Sequence, residues 1–79
     1  MRLDKYLKVS RIIKRRTVAN EACDAGRVIV NGKVARASYD VKIGDVIEIA
    51  FGAKNFKAQV TAVSEVVTKD DAQSLYSLL

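Results

Sequence analysis

Seven of the first sixteen side chains are cationic: Arg2, Lys5, Lys8, Arg11, Lys14, Arg15 and Arg16. Asp4 is the one acidic residue among them, so residues 1–16 carry +6, against −1 for residues 17–79 and +5 for the whole chain. Spaced cations on one segment are suited to a polyanion, and an arginine fork can hold two oxygens of one phosphate at once. A plain solvated helix surface would not gather the entire charge excess into a fifth of the chain. A membrane-surface helix would have to give up Leu3, Leu7 and Ile13, which so small a domain needs for its own core. Nucleic acid is the expected partner, with a membrane surface kept as the competing reading and charge alone unable to separate DNA from RNA.

Bond-making chemistry has little to work with. There is no histidine and one cysteine, Cys23, so the commonest general base, an internal disulfide and a multi-cysteine metal site are all missing. Cys23 lies on an apolar helix side and reads as a small packing residue. The carboxylates are scattered, and only Asp70 and Asp71 adjoin. Gly26, Gly32, Gly44 and Gly52 are isolated turn markers and form no phosphate-cradling run. The expectation is a protein that is not an enzyme and that needs no metal or cofactor.

The elements that must hold the cations follow from periodicity. Leu3, Tyr6, Leu7, Ser10 and Ile13 fall on one stripe and predict a helix over residues 2–14, with a pause near Ser10–Lys14 where Ile12 leaves the stripe. A second short helix is predicted over 17–25, capped by Thr17 and stopped by Gly26, with Val18, Ala19, Ala22 and Cys23 inside. Lys14, Arg15 and Arg16 then occupy the joint, where side-chain charge and exposed helix amides can act on one phosphate.

Asn31-Gly32 between Val28–Val30 and Lys33–Ala35 is a strong hairpin signal, because both turn residues need positive φ. Arg36–Tyr39 reads as irregular, Lys42–Asp45 as a turn, Val46–Phe51 as a strand and Gly52–Asn55 as a turn. A long strand from Phe56 to Val67 shows a slip near Ala62–Val63 that would suit a bulge. Residues 69–78 suggest a last helix, begun by a Thr68–Asp71 capping box and anchored by Leu75, Leu78 and Leu79.

The 79 residues make one domain, 1–79, of α+β class: two N-terminal helices packed on a small antiparallel sheet, with a short C-terminal helix. No apolar run approaches the ~18 residues of a membrane span, and the charged start lacks a signal-peptide core. A cytoplasmic monomer is the default expectation.

Four ordered stretches now stand together: Arg2–Leu7, Arg15–Ala19, Gly26–Lys33 and Lys42–Ile47. The set resembles the S-four RNA-binding domain, also called the alpha-L motif. Within that family it resembles the small bacterial RqcP (YabO) proteins, relatives of heat shock protein fifteen, and contacts that depend on the long basic tail of the heat-shock relatives are not expected.

The resemblance implies RNA bound by the two helices and their joint, with Arg2 and Arg16 on rRNA and Asp4 orienting a nearby basic side chain. Lys5, Lys8, Arg11, Lys14 and Arg15 extend the surface, with Thr17 and Asn20 at its edge. It further implies partners: rRNA of a large ribosomal subunit obstructed by peptidyl-tRNA, the P-site tRNA itself, and a factor that adds alanine without a message. A detached RNA-binding subunit of an rRNA-modifying enzyme is the alternative role.

Overall fold

The computed structural model describes residues 1–64 and 71–79. Its element order is α1 (Leu3–Val9), α2 (Arg16–Asp24), β1 (Val28–Val30), β2 (Lys33–Val34), β3 (Val46–Phe51), β4 (Lys54–Val60), a 3-10 turn (Ala72–Leu75) and β5 (Tyr76–Leu78). The five strands form one sheet in the order β2-β1-β3-β4-β5, antiparallel throughout.

One stripe of each helix meets one sheet face. Leu3, Tyr6, Leu7 and Ile13 join Ala19 and Cys23 over Val28, Val30, Ile47, Ile49 and Val60 in a single buried cluster. Burying one such aliphatic side chain is worth ~1.5–3 kcal/mol, so this cluster is what keeps the two helices in place.

The first helix is shorter than its stripe. It ends at Val9 because Arg11 adopts a left-handed φ of 62°. The chain then folds back, the Ile13 amide donates to the Leu7 carbonyl at 3.1 Å, and Ile13 is buried although it is not helical. The stripe therefore marks the buried side correctly and overstates the helix length. With no side-chain cap, α1 takes its N-terminal acceptors from the irregular segment: the amides of Leu3 and Asp4 donate to the carbonyls of Tyr39 (2.8 Å) and Ala37 (3.2 Å).

In α2 the cap position is Arg15, without a side-chain cap bond, and Thr17 sits exposed inside the first turn, so Thr17 is not the cap. Val18 is 45% exposed and does not belong to the buried side. The helix closes with paired bonds, Gly26 amide to Cys23 carbonyl and Arg27 amide to Ala22 carbonyl, both 3.0 Å. Gly26 supplies the left-handed residue (φ 75°) this closure requires.

The β1–β2 hairpin turns on Asn31 and Gly32, with φ of 53° and 82° as the sequence demands. Asn31 also clamps the start of β3: its Oδ1 accepts the Val46 amide, and its Nδ2 donates to buried Asp45. Asp45 further accepts the Tyr39 hydroxyl (2.9 Å) and the Lys42 amide (3.0 Å). Burial pushes this carboxyl up, but the bonds from Lys42, Asn31 and Tyr39 outweigh it and hold the group below the ordinary carboxylate range.

The C-terminal part differs most from expectation. β4 ends at Val60, so the slip near Ala62–Val63 marks the end of a strand and not a bulge. In place of the last helix there is one 3-10 turn, which buries Ala72 and Leu75, followed by β5 on the free edge of β4. Edge pairing on β4 ties this segment to the sheet, whereas a short helix with so few apolar residues is marginal. Leu78 and Leu79 stay exposed and anchor nothing. Thr68, Val66 and Val67 lie outside the described residues.

Candidate nucleic-acid interface

Asp4 is the centre of the basic face. Only 2% exposed, it lies on α1 between Arg2, at the cap position of that helix, and α2. Its Oδ1 accepts the Lys5 amide (2.8 Å) and the Arg2 Nε (3.2 Å), while its Oδ2 accepts Asn20 Nδ2 (3.3 Å) and the Arg16 Nε (3.4 Å). Burial raises the Asp4 carboxyl. The bonds from Asn20, Arg2 and the Lys5 amide, with the charge of Arg16, lower it further, and it stays ionised below the usual range.

The two arginines themselves remain about half exposed, with side-chain exposures of 52% for Arg2 and 47% for Arg16. Each meets Asp4 through Nε, so the contact to Asp4 does not depend on the terminal nitrogens of either fork. A single buried carboxylate thus orients two guanidinium groups from different helices. Arg16 also opens α2, whose first amides have no side-chain cap and carry the positive end of the helix dipole. A shallow cleft of about 370 Å³ lined by Asp4, Arg16, Thr17, Asn20 and Glu21 lies beside them. This arrangement can bind phosphate oxygens by charge and by directed hydrogen bonds.

The structure brings Arg2, Asp4, Arg16, Thr17 and Asn20 together. Lys5 follows Asp4 and is half-buried; Lys8 is exposed on the last turn of α1. Arg11, Lys14 and Arg15 are exposed on the connection between the helices and are not drawn into the Asp4 cluster. Sequence reasoning missed the support beneath the cluster. Arg2 forms an isolated β-bridge with Asp40, the Met1 amino group pairs with Asp40 at 2.7 Å, and the Val41 amide donates to the Met1 carbonyl. These contacts join residues some forty positions apart, two of them through backbone groups and one through the Asp40 carboxylate, and no periodic pattern announces them.

A family model of the S4 domain matches residues 1–47, which contain every residue of this cluster. The chain belongs to the S4 domain family. It is 54% identical over 78 residues to a protein of Halalkalibacterium halodurans named RQC P-site tRNA stabilizing factor, covering 99% of this chain and 89% of that one. A Streptococcus pneumoniae protein of the same name is 52% identical over 79 residues, covering 100% and 90%. Among solved structures, the trimeric structure of Vibrio cholerae heat shock protein 15 superposes with a TM-score of 0.92 at 31% identity, over all of this chain and 81% of that one. With these relatives the chain is an RNA-binding-type S4 protein, α+β in class. Among the described residues, no helix is long and apolar enough to cross a membrane, and no group of side chains has the makings of a metal site.

Proposed function

We propose that this chain is a non-enzymatic RNA-binding factor of ribosome-associated quality control, acting in the cytoplasm. It binds the large ribosomal subunit while peptidyl-tRNA occupies the P site, holds that tRNA against neighbouring rRNA, and so supports template-independent alanine tailing by a partner factor. The observation that carries this reading is the pair of guanidinium groups, Arg2 and Arg16, oriented by one buried carboxylate on the face where the charge excess lies. The names of the close relatives support the choice of tRNA in the P site as the ligand.

In this mechanism no bond is made or broken. Arg2 and Arg16 take backbone phosphates, Lys5, Lys8, Arg11, Lys14 and Arg15 widen the electrostatic footprint, and Thr17 with Asn20 borders the groove. A rigid two-helix face grips the shape and phosphates of folded RNA without reading a sequence.

Purified protein should co-sediment with large subunits carrying peptidyl-tRNA and much less with empty ones. With about six phosphates contacted, the log–log salt slope of binding should be roughly −4 to −5. Arg2→Ala and Arg16→Ala should each weaken binding while the domain stays folded, since each removes one of the four hydrogen bonds to Asp4 and leaves three. Equal binding to empty and tRNA-bearing subunits would sink the P-site role, and a flat salt response would sink the electrostatic mechanism.

A further inference from the structure

Beside the charged cluster runs a second feature of different character. Ile13, Val18 and Ala22 from the helical unit face Phe51 at the end of β3 across an open groove of about 450 Å³, with Glu21 and Arg27 also on its walls. That volume lies within the ~300–1,000 Å³ of small-ligand clefts. Val18 and Phe51 are each 45% exposed, so the groove presents apolar side chains to solvent. Glu21 borders both this groove and the cleft at Asp4 and Arg16, which makes the two adjacent.

We infer that this groove receives an unpaired nucleobase of the bound RNA, stacked against Phe51 and hydrogen-bonded through its amino edge to Glu21. The inference rests on the RNA-binding reading above and names the kind of RNA element the face takes. Three features select a base. An aromatic ring exposed on one side is a stacking platform that any nucleobase fits.

The charges around it are complementary to a nucleotide. Arg27 lines the groove, Lys54 pairs with Phe51 across the hairpin end, and exposed Lys14 and Arg15 connect Ile13 to the Asp4 cluster. Cations therefore flank an apolar floor at the places where a sugar–phosphate backbone would enter and leave. Finally, Glu21 has no side-chain hydrogen bond or ion pair among the described residues, and neither does Arg27. A free carboxylate is a good acceptor for the amino and imino hydrogens of guanine or the amino group of cytosine.

The chain has no tryptophan, so Phe51→Trp places a single indole in the groove, to be excited selectively beside the three tyrosines. It should be titrated with a stem-loop RNA carrying unpaired guanosines and with the blunt duplex of the same stem. Both RNAs should bind with strong salt dependence, and only the stem-loop should quench the indole. Phe51→Leu should weaken stem-loop binding about tenfold and leave duplex binding unchanged, as loss of one base–aromatic stack predicts. Glu21→Gln should weaken the guanosine loop and spare a uridine loop; thermal melts of both variants confirm that they are folded.

A silent indole, with Phe51→Leu and Glu21→Gln indistinguishable from the parent, overturns the inference while duplex binding leaves the RNA-binding reading standing. An indole signal that grows with protein concentration in the absence of RNA assigns the groove to a second copy and also overturns it. Failure of either RNA to bind removes both.

Discussion

Asp4 faces two demands: it must stay ionised while nearly out of water, and it must hold two arginines still. Four hydrogen bonds to its two oxygens meet the first, and the same bonds meet the second. Asp4→Asn keeps the shape and removes the charge, so both guanidinium groups lose a charge-assisted partner of the kind worth ~1.5–3 kcal/mol. The expected outcome is a lower melting temperature together with weaker RNA binding, whereas Arg16→Ala, which takes away one of the four bonds, should lower the melting temperature less while still weakening binding; melting curves and binding isotherms on the same samples separate the two.

Asp4 and Asp45 also set the acid limit. Both carboxyls titrate lower in the folded chain than their ordinary value of 3.8. Their contribution to stability is therefore complete above that value and disappears as pH falls through the lower folded values. Melting temperature should be level above about pH 5 and drop below about pH 4. Asp45→Asn should flatten that drop.

At the scale of elements, Gly26 decides where α2 stops and β1 begins. A methyl group there would meet only Val34 Cγ1, at 3.9 Å, so space is no obstacle and conformation is. Gly26→Ala should cost about 1–2 kcal/mol through the left-handed φ, read as a shift in denaturation midpoint at unchanged slope. The same conformational logic explains what the sequence made legible. Asn31-Gly32 and Gly26 each announce a positive φ by residue type, and the hairpin and helix stop appear where those residues stand.

Arg11 adopts the same conformation without the residue type that signals it, so the end of α1 was hidden and the helix was read too long. Thr17 had the chemistry of a cap but sits one residue inside a helix that starts at Arg16. The last strand was hidden for another reason. Its hydrogen bonds are borrowed from β4, and the alternation of Tyr76, Ser77 and Leu78 is too short to reveal a strand. The cationic face was readable from counting charges, whereas its support by the carbonyls of Ala37 and Tyr39 was not, because backbone carbonyls have no letter in a sequence.

Across the whole molecule, the two ends of the chain meet beneath the binding face. The Tyr6 hydroxyl, buried under α1, donates to the Leu75 carbonyl at 2.7 Å, and that carbonyl also accepts the Thr61 amide at 2.9 Å. Burial raises the Tyr6 phenol well above its ordinary value, so the bond keeps its proton over any working pH. A peptide ending at residue 47 would retain the whole S4 match and every cation of the N-terminal segment, yet it would cut β3 after its second residue and strand the Tyr6 hydroxyl. Circular dichroism of that peptide should show a coil, and its RNA affinity should fall to that of an unstructured basic peptide of equal charge. The recognisable signature and the length of chain that closes the core are thus different: strands beyond the S4 match are what keep the two arginines aimed.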